Sequence, residues 1–378
     1  MSYNWQQSDW TEFKYDFKQL EEYLYLFSEK MGISKGSLNA LPKKHQTQTI
    51  IDILVSEAIK TSEIEGEFLS RKDVMSSIQN NLGLGSNNES IRDINARGMA
   101  NLVTEIRNSY QEPINENIIF DWHKMVFPSR TSIAVGSWRT HNEPMQVVSG
   151  RHGKEIIHFE APPSTRVKKE MKSFIQWFNN TAPNGTEEIK FGPIRSAIAH
   201  LYFESIHPFE DGNGRVGRAI AEKALLQSVD HPLLLSLSVA IESDRNTYYQ
   251  ALKIAQRSNN ITDWLVYFIK TILKALDHSI ELIDFTLQKA KLFNHYNLQL
   301  NERQTKVLKR MLDEGPKGFE GGMTAKKYMG ITKTSKATAT RDIQKLNEMG
   351  IFKSIGGGRS TAYNIQFLEP KNFKPSFS

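Results

Sequence analysis

Apolar side chains recur at three- and four-residue intervals along most of this 378-residue chain, the spacing of amphipathic helices rather than of strands. An aromatic opening (Trp5, Trp10, Phe13, Tyr15, Phe17) reads as a packing layer that docks the N-terminal segment onto a core. Leu20, Tyr23, Leu24 and Phe27 continue it as a helical face, and Ile50, Ile51, Leu54, Val55 and Ala58 predict a helix over 46–61 with Gly66 as its stop. Ser70, followed by Arg-Lys-Asp, predicts the N-cap of a third helix. Residues 82–90 (LGLGSNNES) read as a loop. Helix is expected over 91–127 and 164–180, with a loop and a small hairpin between them where Gly, Pro and short β-branched runs break the pattern. Residues 187–206 predict a buried helix running into His207-Pro208, and more helix is expected over 215–226, 248–256 and 262–294. No internal repeat is visible.

The last part of the chain has a different pattern. Helices are predicted near 302–312, 323–329 and 335–349, followed by IFKSIGGGRSTAYNI, which alternates around a triple glycine as a hairpin would. Three helices and a hairpin outline a winged helix. Charge sharpens this reading: residues 299–366 hold thirteen Lys and Arg against six Asp and Glu, so this segment carries +7 of a total of +6 and the remainder sums to −1. The longest of these helices places Lys336, Thr338, Thr340, Arg341 and Lys345 on its polar side. Duplex DNA is therefore a candidate partner of 299–378, with protein contact or dimerisation as the alternative.

Composition excludes several chemistries. The chain has no cysteine, which removes disulfides, thiolate metal sites, iron–sulfur clusters and thiol nucleophiles. The opening lacks a basic-then-apolar export signal, and the most apolar stretch, Pro232 to Ile241, is about half of a bilayer span. A cytoplasmic protein without membrane contact is expected. His152, His158 and His200 lack a spacing that gathers three ligands, so no zinc site is predicted.

Chemistry concentrates in His207-Pro208-Phe209-Glu210-Asp211-Gly212-Asn213-Gly214-Arg215-Val216-Gly217-Arg218. Gly212 and Gly214 permit a tight turn whose N–H groups converge, and a helix starting near Arg215 adds its positive end, which together make an anion nest. Arg215 and Arg218 share a helical face and can hold further phosphate oxygens, while Asp211 at the nest's edge can ligate the magnesium that accompanies a nucleoside triphosphate. His207 is the nearby group able to take a proton near neutral pH. The same residues also satisfy G-x-G-x-x-G, but the dinucleotide fingerprint requires a preceding strand, and AIAHLYFESI has helical periodicity. The P-loop pattern is absent.

At every fixed position, His207 to Arg218 resembles the H-P-F-x-D-G-N-G-R-x-x-R signature of the Fic family, a mainly α-helical fold with a β-hairpin flap whose members mostly transfer AMP from ATP to protein hydroxyls. Gly136-Ser137-Trp138-Arg139 is similar to that family's G-x-[YW]-R segment, Ala161-Pro162-Pro163 to the end of its flap, and Tyr248-Tyr249-Gln250-Ala251-Leu252 to its Y-Y-x-x-L element. The resemblance implies an N-terminal helical domain over 1–90, a catalytic core over 91–275, a helical linker over 276–298 and the winged helix over 299–378. It also implies that His207 deprotonates a target Ser, Thr or Tyr, and that Asp211 holds magnesium. Gly212 to Gly214 and the Asn213 amide would bind the α-phosphate, and Arg215 and Arg218 the β- and γ-phosphates. Ile157, His158, Phe159 and Glu160 of the flap would align the target by strand addition, and Tyr248 and Gln256 would line the nucleotide pocket, Gln256 standing where Asn is familiar. ATP and a protein target, which can include the chain itself, are the implied partners. Association of like chains stays open.

One further stretch, Thr61-Ser62-Glu63-Ile64-Glu65-Gly66, resembles the family's inhibitory pattern [ST]-x-x-x-E-[GN]. It implies that Glu65 pairs with Arg218 and leaves ATP in a non-productive pose. The alternative carried from the residues alone is a DNA-binding regulator whose core senses nucleotide without transferring it.

Overall fold

Local capping chemistry sets most helix boundaries in this chain. A computed structural model describes residues 2–85, 91–129, 132–149, 156–229, 234–358 and 361–367. By its internal contacts the chain divides into two units, Met1–Lys35 with Ile50–Ser279, and Gly36–Thr49 with Ile280–Ser378. The element order is α1 (Glu21–Asn39), α2 (Lys43–Ile64), α3 (Arg71–Asn81), α4 (Ile94–Asn108), α5 (Glu116–Val126), β1 (Gln146–Ser149), β2 (Ile156–Glu160), α6 (Ser164–Asn180), α7 (Gly192–Ile206), α8 (Asn213–Gln227), α9 (Leu237–Glu242), α10 (Arg245–Ala255) and the long α11 (Thr262–Tyr296). These are followed by α12 (Glu302–Leu312), α13 (Ala325–Thr332), α14 (Lys336–Glu348), β3 (Phe352–Ile355) and β4 (Ala362–Ile365). The protein is thus mainly helical, with two small antiparallel hairpins among the described residues.

In the first unit α7 is the axis. Every residue from Gly192 to Ile206 is buried, as expected of a helix apolar on nearly all sides. Its polar side chains are tied down inside: Ser196 Oγ donates to the Ala221 carbonyl at 2.7 Å, and the Arg195 guanidinium donates to the carbonyls of Phe178 at 2.7 Å and Ala224 at 3.0 Å. These bonds lock α7 against α6 and α8. The aromatic opening packs on this core. Asn4 Nδ2 reaches Ser205 Oγ on α7 (2.9 Å), Trp5 Nε1 donates to the Glu160 carbonyl (2.7 Å), and Tyr3 meets Phe159 edge to face at 5.1 Å. The N-terminal segment therefore pins β2 to the helices. Strands β1 and β2 pair antiparallel from Gln146↔Glu160 to Ser149↔Ile156, with a bulge where the register shifts between Val147 and Val148.

Ser70 caps α3 by accepting the Asp73 N–H, as its sequence context predicts. Other expectations are corrected. The run 91–127 is broken into α4 and α5 around Pro113, where Asn179 takes over the backbone of Ile114 through two bonds, at 3.0 and 2.9 Å. The predicted helix over 187–206 begins only at Gly192-Pro193, because proline is accommodated in the first turn but not deeper. Helix α8 starts at Asn213, before Arg215. The short α9 lies within the stretch read only as apolar; Ser236 caps it, and the buried Glu57 carboxylate accepts from Ser236 and from the backbone of Ser238. Residues 86–90 of the expected loop and His152 lie outside the described residues.

In the second unit α12, α13, α14 and the β3–β4 hairpin close over Val307, Leu308, Met311, Tyr328, Ile343, Leu346 and Phe352. Met323 bridges to Tyr363 beside the hairpin. Asp342, buried on α14, accepts from Arg303 Nε (2.8 Å) and the Tyr328 hydroxyl (3.1 Å). Burial alone would raise its carboxyl, and these donors outweigh burial and hold it below the usual range. Lys336, Thr340, Arg341 and Lys345 are exposed on the same helix. Among the described residues no helix is long and apolar enough to cross a membrane.

Candidate active site

The signature loop joins the end of α7 to the start of α8. His207 leaves α7 in a left-handed conformation (φ 50°, ψ 61°) while its N–H still bonds to the Phe203 carbonyl at 2.9 Å. Such a conformation is unfavourable for a side chain larger than asparagine and persists only where its surroundings impose it. Here Arg139 does so. Its backbone N–H donates to the Pro208 carbonyl (2.9 Å), its Nε to the His207 carbonyl (2.8 Å), and its Nη2 to the carbonyls of Ile206 and Pro162. Burial lowers this guanidinium to about 10, so it remains a cation, and it gathers three carbonyls while the backbone N–H takes the fourth.

Two further contacts shape the loop. The His123 ring lies parallel to Phe209 at 3.8 Å; its Nδ1 accepts from the Gly136 N–H (3.0 Å), which makes Nε2 the donor to the Asp211 carbonyl (3.0 Å). Burial lowers His123, which keeps the ring neutral in that tautomer. Asn213 spends its side chain on Phe209, donating to its carbonyl and accepting its N–H, both at 2.9 Å. The amide expected against an α-phosphate is thus a fastener of the loop. With Gly212 at φ 82° as N-cap, the first N–H groups of α8 converge on one concavity. Asp211 Oδ1 accepts the Gly212 N–H at that concavity's edge (2.6 Å). One hard carboxylate beside an anion nest suits magnesium carried by phosphates, an ion that keeps most of its waters, rather than a metal held by protein ligands alone.

Helix α2 delivers the opposite charge to this nest. Arg218, 1% exposed, donates Nε to Thr61 Oγ1 and Nη2 to the Thr61 carbonyl, both at 2.8 Å, and pairs with Glu65 at 2.9 Å. Burial, the largest influence, would lower the guanidinium, but Glu65 together with Tyr248 and Tyr249 outweighs it and raises it. A Cβ on Gly214 would stand 2.4 Å from Glu65 Oε1, so the carboxylate rests against the nest itself. Gly66 then turns the chain with φ 80°, and Glu67 pairs with Arg215, which is itself buried over the Phe127 ring at 4.6 Å. Two carboxylates two residues apart thereby face two arginines three apart.

The remaining candidates are placed as follows. Ile157 is exposed on β2, Phe159 is buried against Tyr3 and Trp5, and His158 and Glu160 are half-buried. Tyr248 and Gln256, expected along the nucleotide pocket, both turn inward: the Tyr248 hydroxyl meets His200 Nε2 at 2.8 Å, and Gln256 Nε2 donates to the Glu204 carbonyl at 3.2 Å. Both join α10 to α7. Sequence reasoning missed Glu67, His123 and the loop-holding role of Arg139, and it missed Glu204, whose carboxylate lies 3.6 Å from His207 Nδ1. An acid three residues before His207 was the signal available for the last.

Comparison with known proteins fits this geometry. Residues 3–84 match a family described as a domain of unknown function (DUF4172), and residues 113–225 match the Fic/DOC family. A protein adenylyltransferase of Caenorhabditis elegans is 27% identical over 170 residues, 45% of this chain and 28% of that protein. One from Nematostella vectensis is 25% identical over 142 residues, 37% and 30% of the two. The chain thus spans under a third of the length of these curated relatives. Among solved structures, a Fic family protein from Desulfovibrio desulfuricans superposes with TM-score 0.50 at 17% identity, over 91% of this chain and 96% of that one. A Fic domain-containing signaling protein from Bacteroides thetaiotaomicron gives TM-score 0.54 at 19% identity, over 69% and 96%. The helical bundle that presents His207 and the nest of α8 is a Fic domain, and through it the chain carries the Fic/DOC family's fold.

Proposed function

We propose that this protein transfers AMP from ATP to a hydroxyl of a protein target, and that α2 inhibits the reaction. The observation that supports it best is the junction of α7 and α8, where one proton acceptor, a nest of N–H groups and two buried arginines share one short loop. His207 takes the proton of the incoming hydroxyl, whose oxygen attacks the α-phosphorus while the bond to the β-phosphate breaks and pyrophosphate leaves with the electron pair. The first N–H groups of α8 hold the α-phosphate, and Arg215 and Arg218 hold the β- and γ-phosphates. Magnesium, when bound, neutralises phosphate charge, and Asp211 is the residue that would hold it. β2, on which the Ile157 side chain is exposed, is the strand that would pair with the target.

Glu65 and Glu67 occupy the cations that this scheme assigns to phosphates, which supports inhibition by direct competition for Arg218 and Arg215. Intact-mass measurement after incubation with ATP and magnesium is the test. AMP added to the protein or to a lysate target is the expected result, and Asp211→Ala should lower both the yield and its magnesium dependence. Nucleotide binding with no modification of any protein would sink the transferase reading.

A second activity rests on a separate observation, the exposed row Lys336, Thr340, Arg341 and Lys345 on α14. With the β3–β4 hairpin as wing, this helix would enter a groove of duplex DNA. The full chain should then shift a duplex at low salt, and Lys336→Ala with Arg341→Ala should flatten the plot of log affinity against log salt by roughly 2. No shift at low salt would assign this surface to protein contact instead.

A further inference from the structure

Glu204 is a buried acid that the scheme above does not use. It lies one turn before the end of α7, only 4% exposed, and its Oε2 is 3.6 Å from His207 Nδ1. Neither His207 Nδ1 nor Glu204 Oε1 has a hydrogen-bond partner, and both atoms are shut off from solvent. Leaving a buried carboxylate oxygen without a donor is costly, so its position calls for an explanation in the site. Space is made for it deliberately by α8: a Cβ on Gly217 would stand 2.4 Å from Oε1 and 3.3 Å from His200 Cε1. Glycine at 217 is therefore what lets the carboxylate reach the imidazole.

The groups that face Glu204 are His207 and His200 from α7 and its end, Arg218 from α8, and Tyr248 and, more weakly, Tyr249 from α10. Arg218 is committed to Thr61 and Glu65. His200 is lowered by burial and bonded to the Tyr248 hydroxyl, so it stays neutral. Burial alone would raise the Glu204 carboxyl; the His207 contact, followed by His200 and Arg218, overcomes this and holds it below its ordinary range. The acid is therefore ionised beside an imidazole that can become its countercharge.

We propose that Glu204 is a positioning residue for His207: it receives the Nδ1 hydrogen, fixes the tautomer that leaves Nε2 bare, and stabilises the imidazolium formed when Nε2 takes the target's proton. At 3.6 Å the contact is longer than a hydrogen bond and closes as the reacting groups assemble. The proton stays on the imidazole and passes from Nε2 to solvent after pyrophosphate departs; Glu204 remains a carboxylate throughout. This inference rests on His207 being the base.

The experiment uses the full chain carrying Glu65→Gly, so that transfer is measurable, and compares Glu204→Gln, Gly217→Ala and His207→Ala. Glu204→Gln should lower kcat between about tenfold and a hundredfold, the usual cost of losing a group that orients a reacting residue. The KM for ATP should hold. Nitrogen-15 NMR of His207, which needs no turnover, should show the Nδ1–H tautomer in the parent and a mixture of tautomers in Glu204→Gln. Gly217→Ala, which displaces Oε1 while retaining the acid, should lower kcat and mix the tautomers in the same way, and covers the case in which Glu204→Gln fails to fold. An unchanged kcat and an unchanged tautomer in the altered proteins overturn the inference while leaving the base in place. Persistent transfer by His207→Ala would overturn the base itself.

Discussion

His207→Ala should abolish AMP incorporation in the Glu65→Gly protein, by roughly 10²- to 10⁴-fold, the range general-base catalysis supplies, while ATP affinity changes little. The asymmetry follows from geometry. The imidazole sits at the end of α7, whereas the groups proposed to bind phosphate, the first N–H groups of α8 with Arg215 and Arg218, lie on the next helix. Its loss removes the acceptor of the hydroxyl proton without removing a cation or a nest N–H. Single-turnover transfer and equilibrium nucleotide binding, measured on the same protein, separate the two. Parallel loss of both would place His207 among the nucleotide ligands instead. The substitution also removes a residue at a left-handed backbone position held by Arg139, so a melting curve belongs beside the kinetics.

Glu65→Gly should raise transfer, an unusual direction for a substitution at a charged residue. The Glu65 carboxylate is a charge-assisted partner of Arg218 at 2.9 Å, a class of contact worth about 1.5–3 kcal/mol, which corresponds to a gain of roughly tenfold to a hundredfold once the competing γ-phosphate can use the arginine. Glu67→Gln alone should raise transfer less, because Arg215 keeps its shelf on Phe127 and Glu65 still blocks the neighbouring cation. The double substitution should exceed either one. Arg218→Ala must cancel the gain, since the γ-phosphate then has no partner to recover. Hyperactivity that survives Arg218→Ala would disprove the competition, as would a Glu65→Gly protein no faster than the parent.

The parts of this site that could be read in the sequence are those whose chemistry is local. His207, Asp211, Gly212 and Gly214 lie within one loop, so the nest and the proton acceptor follow from residue type and spacing. The Glu65–Arg218 contact became legible only through a resemblance, since 153 positions separate the two and no periodicity connects them. Glu67 stayed hidden because its approach to Arg215 depends on the left-handed turn at Gly66. His123 and Arg139 act on the loop through backbone carbonyls, and a carbonyl has no sequence signature. Asn213 is expected as a ligand because an amide in such a loop can serve an anion; its pairing with Phe209 is a further use that residue type alone does not select. The fold shows the same division. Caps such as Ser70 were readable, whereas the interruption between α4 and α5 depends on Asn179, which reaches Ile114 across 65 positions.

The Arg139 guanidinium bonds the carbonyls of Ile206 and His207 at the end of α7 and, through the same Nη2 that reaches Ile206, that of Pro162 just past β2. The strand proposed to meet a target and the imidazole proposed to deprotonate it are therefore joined by a single guanidinium. For a polypeptide lying along β2, their separation acts as a ruler. Its backbone is placed by strand pairing, so what decides whether a hydroxyl arrives at His207 is the length of the side chain carrying it. Serine and threonine fall short where tyrosine reaches, or tyrosine overshoots where they fit. Choice among acceptor hydroxyls is then written in the spacing of two carbonyl clusters, and lengthening or loosening that brace would trade selectivity for tolerance without altering any group that touches ATP.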